Sequence, residues 1–305
     1  MRHAVKIEPV RSLLARSGWQ HVLAACLGLA TASPAVAAIV EEQHDLPIAV
    51  VDAYGKQVAQ PIKVTVFFDD ATAQPRPVLL INHGRAVDAA ERAALGRARY
   101  TDASRWFARL GFAVVVPTRL GYGVSGGDDV EDSGACAAKN YPPGYAAAAE
   151  ETLAALRFMH ERADTLKDRD VVVGQSYGGA TSIAVAALNP AGTVAAINFA
   201  GGGGGDPKER ARSPCSPQRL ERLFAKYGET ARVPTLWIYS ANDMYFGADL
   251  PQQWFKAFQA GGGAGRFVQV PPYGDDGHAT FVRAPAVWQP IVAEFLRAQG
   301  FDIKE

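Results

Sequence analysis

The chain has 305 residues, 48% of them hydrophobic, enough to bury a full core within one large domain. Its 31 lysines and arginines balance 31 aspartates and glutamates, so the net charge is zero. No basic stripe alternates with aromatics, and nucleic acid is not an expected partner.

The first segment differs from the rest. Arg2, Lys6, Arg11 and Arg16 precede an apolar run from His21-Val22-Leu23 to Ala35-Val36-Ala37-Ala38. Positive residues, an apolar stretch and a small-residue Ala-Val-Ala site form the pattern of a secretory leader, here residues 1–38, with residues 39–305 left as one domain. Thr31, Ser33 and Pro34 dilute the run. Two alternatives stay open: an uncleaved anchor formed by Val22 to Val40, and a lipid-bearing Cys26 in Leu23-Ala24-Ala25-Cys26. The expected location is outside the cytoplasm, periplasmic or secreted, without stable membrane insertion once the leader is gone. Oligomeric state is left open.

From Ile62 onward, short apolar runs alternate with helix-patterned segments, which predicts an α/β fold: a mostly parallel sheet covered on both faces. Strands are expected at Ile62 to Phe68, Val78 to Asn82, Ala113 to Pro117, Val171 to Val173, Val194 to Phe199, Thr235 to Tyr239 and Phe267 to Val270. Helices are expected near Asp102 to Leu110, Ala146 to Arg162, Gly179 to Leu188, Pro217 to Tyr227, Pro251 to Ala260 and Pro285 to Ala298. Ligands of such sheets sit beyond the carboxyl ends of the strands, so chemistry is sought there.

Two segments read G-x-S-x-G: Gly123-Val124-Ser125-Gly126-Gly127 and Gly174-Gln175-Ser176-Tyr177-Gly178. The second lies between a strand and an apolar helix, where a sharp turn exposes a nucleophilic serine. The first leads into the acidic loop Asp128 to Asp132, so Ser125 reads as part of a tight turn and Ser176 as the nucleophile. A serine needs a base to take its proton. Among six histidines, His3 and His21 fall in the leader, His44 precedes the predicted sheet and His160 lies in a predicted helix. His278 follows the last strand and is the expected base. Asp243, in Ser240-Ala241-Asn242-Asp243 after the preceding strand, is the expected carboxylate that orients it, with Asp206 as competitor. Asp275 and Asp276 stand too near His278 in sequence to serve easily. Backbone N–H groups of Tyr177 and of Arg85, in Asn82-His83-Gly84-Arg85, are the expected oxyanion donors, with His83 stabilising the turn.

Together, strand-His83-Gly84, the turn Gly121-Tyr122-Gly123-Val124-Ser125-Gly126, the Ser176 elbow, Asp243 and His278 resemble the α/β-hydrolase superfamily. The detail is similar to its dienelactone-hydrolase-like and prolyl-oligopeptidase-like esterase and peptidase branches, across nearly the whole chain after the leader. The resemblance implies a serine hydrolase acting through an acyl-enzyme. True dienelactone hydrolases carry cysteine at the elbow; Ser176 points instead to ordinary ester hydrolysis, with a small-molecule ester as substrate. A peptidase or amidase of the same fold, or a non-catalytic binding protein on this scaffold, is the alternative. A peptidase of this fold usually carries a large added domain, for which the chain has no room.

No phosphate-binding G-x-x-x-x-G-K-[ST], H-E-x-x-H or paired C-x-x-C occurs, so neither cofactor nor metal is expected. Two insertions, Gly126 to Pro143 and Gly201 to Pro217, each hold one cysteine, and a bond between Cys136 and Cys215 is expected to tie them beside the pocket as a small cap. Tyr122, Met244 and Tyr245 are candidate pocket residues, as are Tyr141, Tyr145 and Phe246.

Overall fold

The two-faced burial expected of a parallel sheet is carried by the strands themselves. In β3 (Arg76–Asn82), Val78 and Leu80 join one buried cluster while Leu79 and Ile81 join another. In β5 (Thr165–Gln175), Val172 divides from Val171 and Val173 in the same way. Burying one such aliphatic side chain contributes about 1.5–3 kcal/mol, so a strand apolar on both faces is held in the middle of a layered structure. The computed structural model describes residues 38–303, which belong to one compact unit; of the expected leader, only Ala38 falls among them.

The remaining strands are β1 (Ile39–Val51), β2 (Gln57–Asp69), β4 (Ala113–Thr118), β6 (Thr193–Phe199), β7 (Thr235–Ser240) and β8 (Gly265–Val270). They form one eight-stranded sheet in the order β1-β2-β4-β3-β5-β6-β7-β8. The β1·β2 and β2·β4 pairs are antiparallel and the others parallel. The helices are α1 (Ala89–Ala93), α2 (Thr101–Arg109), α3 (Tyr141–His160), α4 (Tyr177–Leu188), α5 (Pro217–Thr230), α6 (Asp249–Ala260), α7 (Thr280–Arg283) and α8 (Pro285–Ala298). Phe107 of α2 and Trp288, Val292 and Leu296 of α8 pack in one cluster; Ala155 of α3, Ile183 of α4, Phe224 of α5 and Trp254 of α6 pack in the other.

Several boundaries differ from the sequence expectation. His44 lies within β1 rather than before the sheet. That strand was hidden because it is an edge strand of mixed polarity containing Pro47, which an outer ladder tolerates. It forms a long hairpin with β2, closed by a turn in which the Asp52 carboxylate accepts the Tyr54 and Lys56 amides. The β5 strand begins six residues before Val171, and α3 begins at Tyr141, with Pro142 and Pro143 in its first turn where a missing N–H costs nothing. Among the described residues, no helix is long and apolar enough to cross a membrane.

The parallel strands end nearly in line. Asn82 is opposite Gly174, Gln175 opposite Phe199, and Ser240 opposite Val270. The chain leaves β3 for β4 on one side and returns to β5 on the other, opening the crevice where such sheets bind ligands.

Candidate active site

Between β5 and α4 the chain reverses at Ser176, whose φ of 56° and ψ of −125° lie where non-glycine residues rarely go. Its neighbours must be glycine: a Cβ on Gly174 would lie 2.0 Å from the Gly178 carbonyl oxygen, and one on Gly178 would lie 2.3 Å from that of Asn82. The turn is fastened by the Ser176 N–H, which donates to the Phe199 carbonyl at 2.8 Å. This geometry lifts the Ser176 hydroxyl to the mouth of α4.

Asp243 and His278 come from the loops after β7 and β8. The imidazole Nδ1–H donates to Asp243 Oδ2 at 2.9 Å, and Asp243 Oδ1 accepts the amides of Tyr245 and Phe246 at 2.7 and 3.0 Å. Asp243 is fully buried. A carboxylate with this many donors is fixed in orientation, and it leaves Nε2 as the free face of His278. Ser176 and His278 line the same cavity without a mutual hydrogen bond. The Tyr245 ring stacks on the imidazole at 3.9 Å. Asp206, the competitor, instead accepts the Lys208 and Glu209 amides within its own loop.

The loop after β3 is held from below. His83 is 2% exposed; its Nδ1–H donates to the Gly84 carbonyl at 2.7 Å and its Nε2 accepts the Arg119 N–H at 3.0 Å. Burial and the adjacent Arg119 cation hold its pKa well below the ordinary histidine value. A neutral ring with both nitrogens engaged has no lone pair for a proton from Ser176. Gly84 lets the loop approach Ser176, since a Cβ on Gly84 would sit 3.2 Å from that of Ser176. Ser125 is likewise occupied: its hydroxyl donates to Thr118 O and accepts from Lys63 N.

The expected pocket residues separate. Tyr245 lines both cavities beside Ser176, and Tyr141 and Phe246 line one of them. Tyr122 lines neither: it is 1% exposed, with its hydroxyl donating to the buried Glu131 and accepting from Arg85. Met244 also lies outside both cavities; its amide donates to Asp276 Oδ1 at 3.0 Å. The Tyr145 side chain is fully buried and stacks on Tyr177. The Arg85 side chain makes a two-pronged ion pair with Asp129 at 2.7 and 2.6 Å, which fixes a loop that lines the cleft.

The positioning roles of three residues, Tyr100, Gln175 and Asp276, escaped the sequence reading. Tyr100 OH accepts the Gly84 amide and donates to Gln175 Oε1, while Gln175 Nε2 donates to the His278 carbonyl at 3.1 Å. One chain of bonds thus links the loops carrying Gly84, Ser176 and His278. Asp276 Oδ1 accepts both the Met244 and His278 amides, joining the last two loops. Gln175 stands inside the G-x-S-x-G motif, which was its only sequence signal. A disulfide joins Cys136 to Cys215 and ties the two insertions. Among the described residues, no group of three or more His, Cys, Asp or Glu side chains is placed to hold a metal ion.

The parallel sheet, its helical layers and the serine on a strand-to-helix elbow define an α/β-hydrolase. The model of the dienelactone hydrolase family matches residues 92–294, about two thirds of the chain, and the protein belongs to that family. No curated protein matches the chain. Similar solved structures include acetyl xylan esterase from Paenibacillus sp. R4, with 18% identity, a TM-score of 0.57 and coverage of 86% of this chain and 88% of that one. Acetyl xylan esterase 1 from Thermoanaerobacterium sp. has 15% identity, a TM-score of 0.56 and coverage of 87% and 88%. Pyrococcus horikoshii acylaminoacyl peptidase has 12% identity, a TM-score of 0.54 and coverage of 86% of this chain but 43% of that one. These likenesses show the fold.

Proposed function

We propose that the protein is an exported serine esterase that cleaves a carboxylic ester through an acyl-enzyme on Ser176. The observation that carries this reading is the buried Asp243–His278 pair opening onto the same cavity as a serine held at positive φ. In the proposed reaction, Ser176 Oγ attacks the ester carbonyl while His278 Nε2 takes its proton. Asp243 stabilises the resulting imidazolium, and the Tyr177 and Arg85 amides receive the oxyanion. His278 then protonates the departing alcohol, and water, activated by the same base, releases the acid. The gap between Ser176 and His278 closes as substrate fills the cleft, as is common for catalytic hydrogen bonds in free enzymes. The esterases among the similar folds and the family membership support an ester over an amide.

Export, with removal of residues 1–38, is supported by the leader pattern and by the Cys136–Cys215 bond, which suits an oxidising compartment. The deciding experiment is hydrolysis of p-nitrophenyl acetate and butyrate by wild type and folded Ser176→Ala, with a fluorophosphonate label mapped by mass. Activity lost in the variant and label on Ser176 support the proposal. A folded wild type with neither turnover nor label moves the reading to a binding protein, and label on Ser125 overturns the choice of nucleophile.

A further inference from the structure

Two cavities of nearly equal size meet at Ser176, one of about 390 Å³ and one of about 380 Å³, and Arg85, Ala86 and Tyr245 form the rest of their shared wall. Their chemistry is opposite. The first lies against the Gly202–Gly205 backbone and the disulfide, and presents Arg85, Arg92, Lys139 and Arg210 against Asp129 and Asp132. Arg85 and Arg92 share the single Asp129 carboxylate, and Arg85 also reaches the buried Glu131 at 3.6 Å. Lys139 makes no ion pair among the described residues and donates only to the Gly134 carbonyl. Arg210 reaches Asp206 at 3.6 Å, and its Nε, shielded from solvent, has no partner. The lobe is therefore lined by four cations against two carboxylates, and Lys139 and Arg210 are the two cations not held by Asp129. Burial lowers the Lys139 pKa, and Arg85 and Arg210 add to that effect against the opposing pull of Asp132 and Asp129. Like charges crowded in a half-buried site favour an incoming anion.

The second cavity presents Leu95, Ala98, Val282 and the Tyr100 and Tyr245 rings. Of its three cations, Arg85 pairs with Asp129 and Arg99 with Glu41, while Arg97 donates to the Val64 carbonyl. Because the scissile carbonyl must sit at Ser176, where the lobes meet, the two halves of a substrate fall on opposite sides of that boundary. We propose, building on the esterase reading above, that the substrate is an open-chain ester with an anionic group in one half, bound by Lys139 and Arg210, and an apolar group in the other. Lys139 lies three residues after Cys136 and Arg210 five before Cys215, so the disulfide assembles the anion subsite from two separate loops.

The test uses the full chain and four esters: monobenzyl succinate, 3-(phenylacetoxy)propanoate, and the methyl ester of each. The expected result is that at least one anionic ester exceeds its methyl ester in kcat/KM by about tenfold, as a charge-assisted contact provides. That preference should collapse in Lys139→Gln/Arg210→Gln and persist in Lys208→Gln, a control on the same loop whose side chain is outside both cavities. A wild type with no anionic preference, or a preference that survives the double substitution, overturns the proposal. Calorimetric titration of both anionic esters into Ser176→Ala separates the two readings. Saturable binding lost on substituting Lys139 and Arg210, in a protein whose wild type turns over no ester, retires the esterase and keeps the subsite. Ester turnover by wild type with no anion-dependent binding retires the subsite and keeps the esterase.

Discussion

Replacing both Cys136 and Cys215 by serine removes a cross-link between residues 79 apart while leaving much of the native contact between the loops in place. Ser216 Oγ still donates to the Cys136-position carbonyl, Arg219 to the Lys139 carbonyl, and the amide at position 215 to Gly204 O. The effect therefore falls mainly on the unfolded chain, which regains the freedom that closing the loop had removed. With a loop of that length, the chain-entropy relation gives a loss of about 4.5 kcal/mol at 25 °C. For a domain of this size, that corresponds to a fall in Tm of roughly 10 °C. Urea and thermal unfolding of wild type, reduced wild type and the double variant measure it, with alkylation before reduction to count free thiols. A double variant within about 1 kcal/mol of oxidised wild type would refute the reasoning, as would two alkylated cysteines in the unreduced protein.

Asp243→Asn is expected to lower kcat by about 10³- to 10⁴-fold on p-nitrophenyl esters, because the amide favours the wrong imidazole tautomer; a loss under tenfold would remove Asp243 from the mechanism. Gln175→Leu cuts the bonds from Tyr100 to the His278 carbonyl and should reduce kcat by about tenfold with little change in KM, from the loss of one or two hydrogen bonds. Unchanged kcat would make that chain of bonds merely structural. Burial and the neighbouring Glu131 charge, opposed by Arg119 and the Leu120 amide, push the Glu151 pKa up to about 8. In the folded state Glu151 keeps its proton between about pH 4.5 and 8, where the unfolded chain has lost it, so the native state binds more protons and stability falls as pH rises through that window. Glu151→Gln should therefore gain stability relative to wild type from pH 5 to pH 8 and track it above; parallel pH profiles in urea unfolding would show that Glu151 does not titrate there.

The site's outer coordination explains why its placement and its chemistry were unequally readable. Ser176, Asp243 and His278 each follow a strand in the order usual for an α/β sheet, and strand ends can be located from apolar runs alone. Which tyrosine faces the cleft cannot. Tyr122 and Tyr245 both follow strands in loops rich in glycine or polar residues, yet Tyr122 is drawn under the loop by Glu131 and Arg85 while Tyr245 lies on the imidazole. Gln175, Tyr100 and Asp276 are polar residues without a motif of their own, and their value comes only from the partners they meet.

The amino-acid pattern made strands β2 to β8 legible, the inner ones most clearly, because residues such as Leu79 to Ile81 and Val171 to Val173 are apolar on both faces and have no stable place but a covered sheet. It also determined the elbow, since the glycines around Ser176 answer a local steric demand. It did not reveal β1, whose mixed polarity suits an edge and is stabilised by pairing with β2 rather than by burial. The pairing of charges was set by long-range contacts of the folded chain. Asp129 pairs with arginines 37 and 44 residues away, Gln175 reaches His278 across 103, and Lys139 and Arg210 line one cavity from two loops that a disulfide joins. Local pattern reports backbone preference and burial, whereas electrostatic balance depends on contacts between residues distant in the chain.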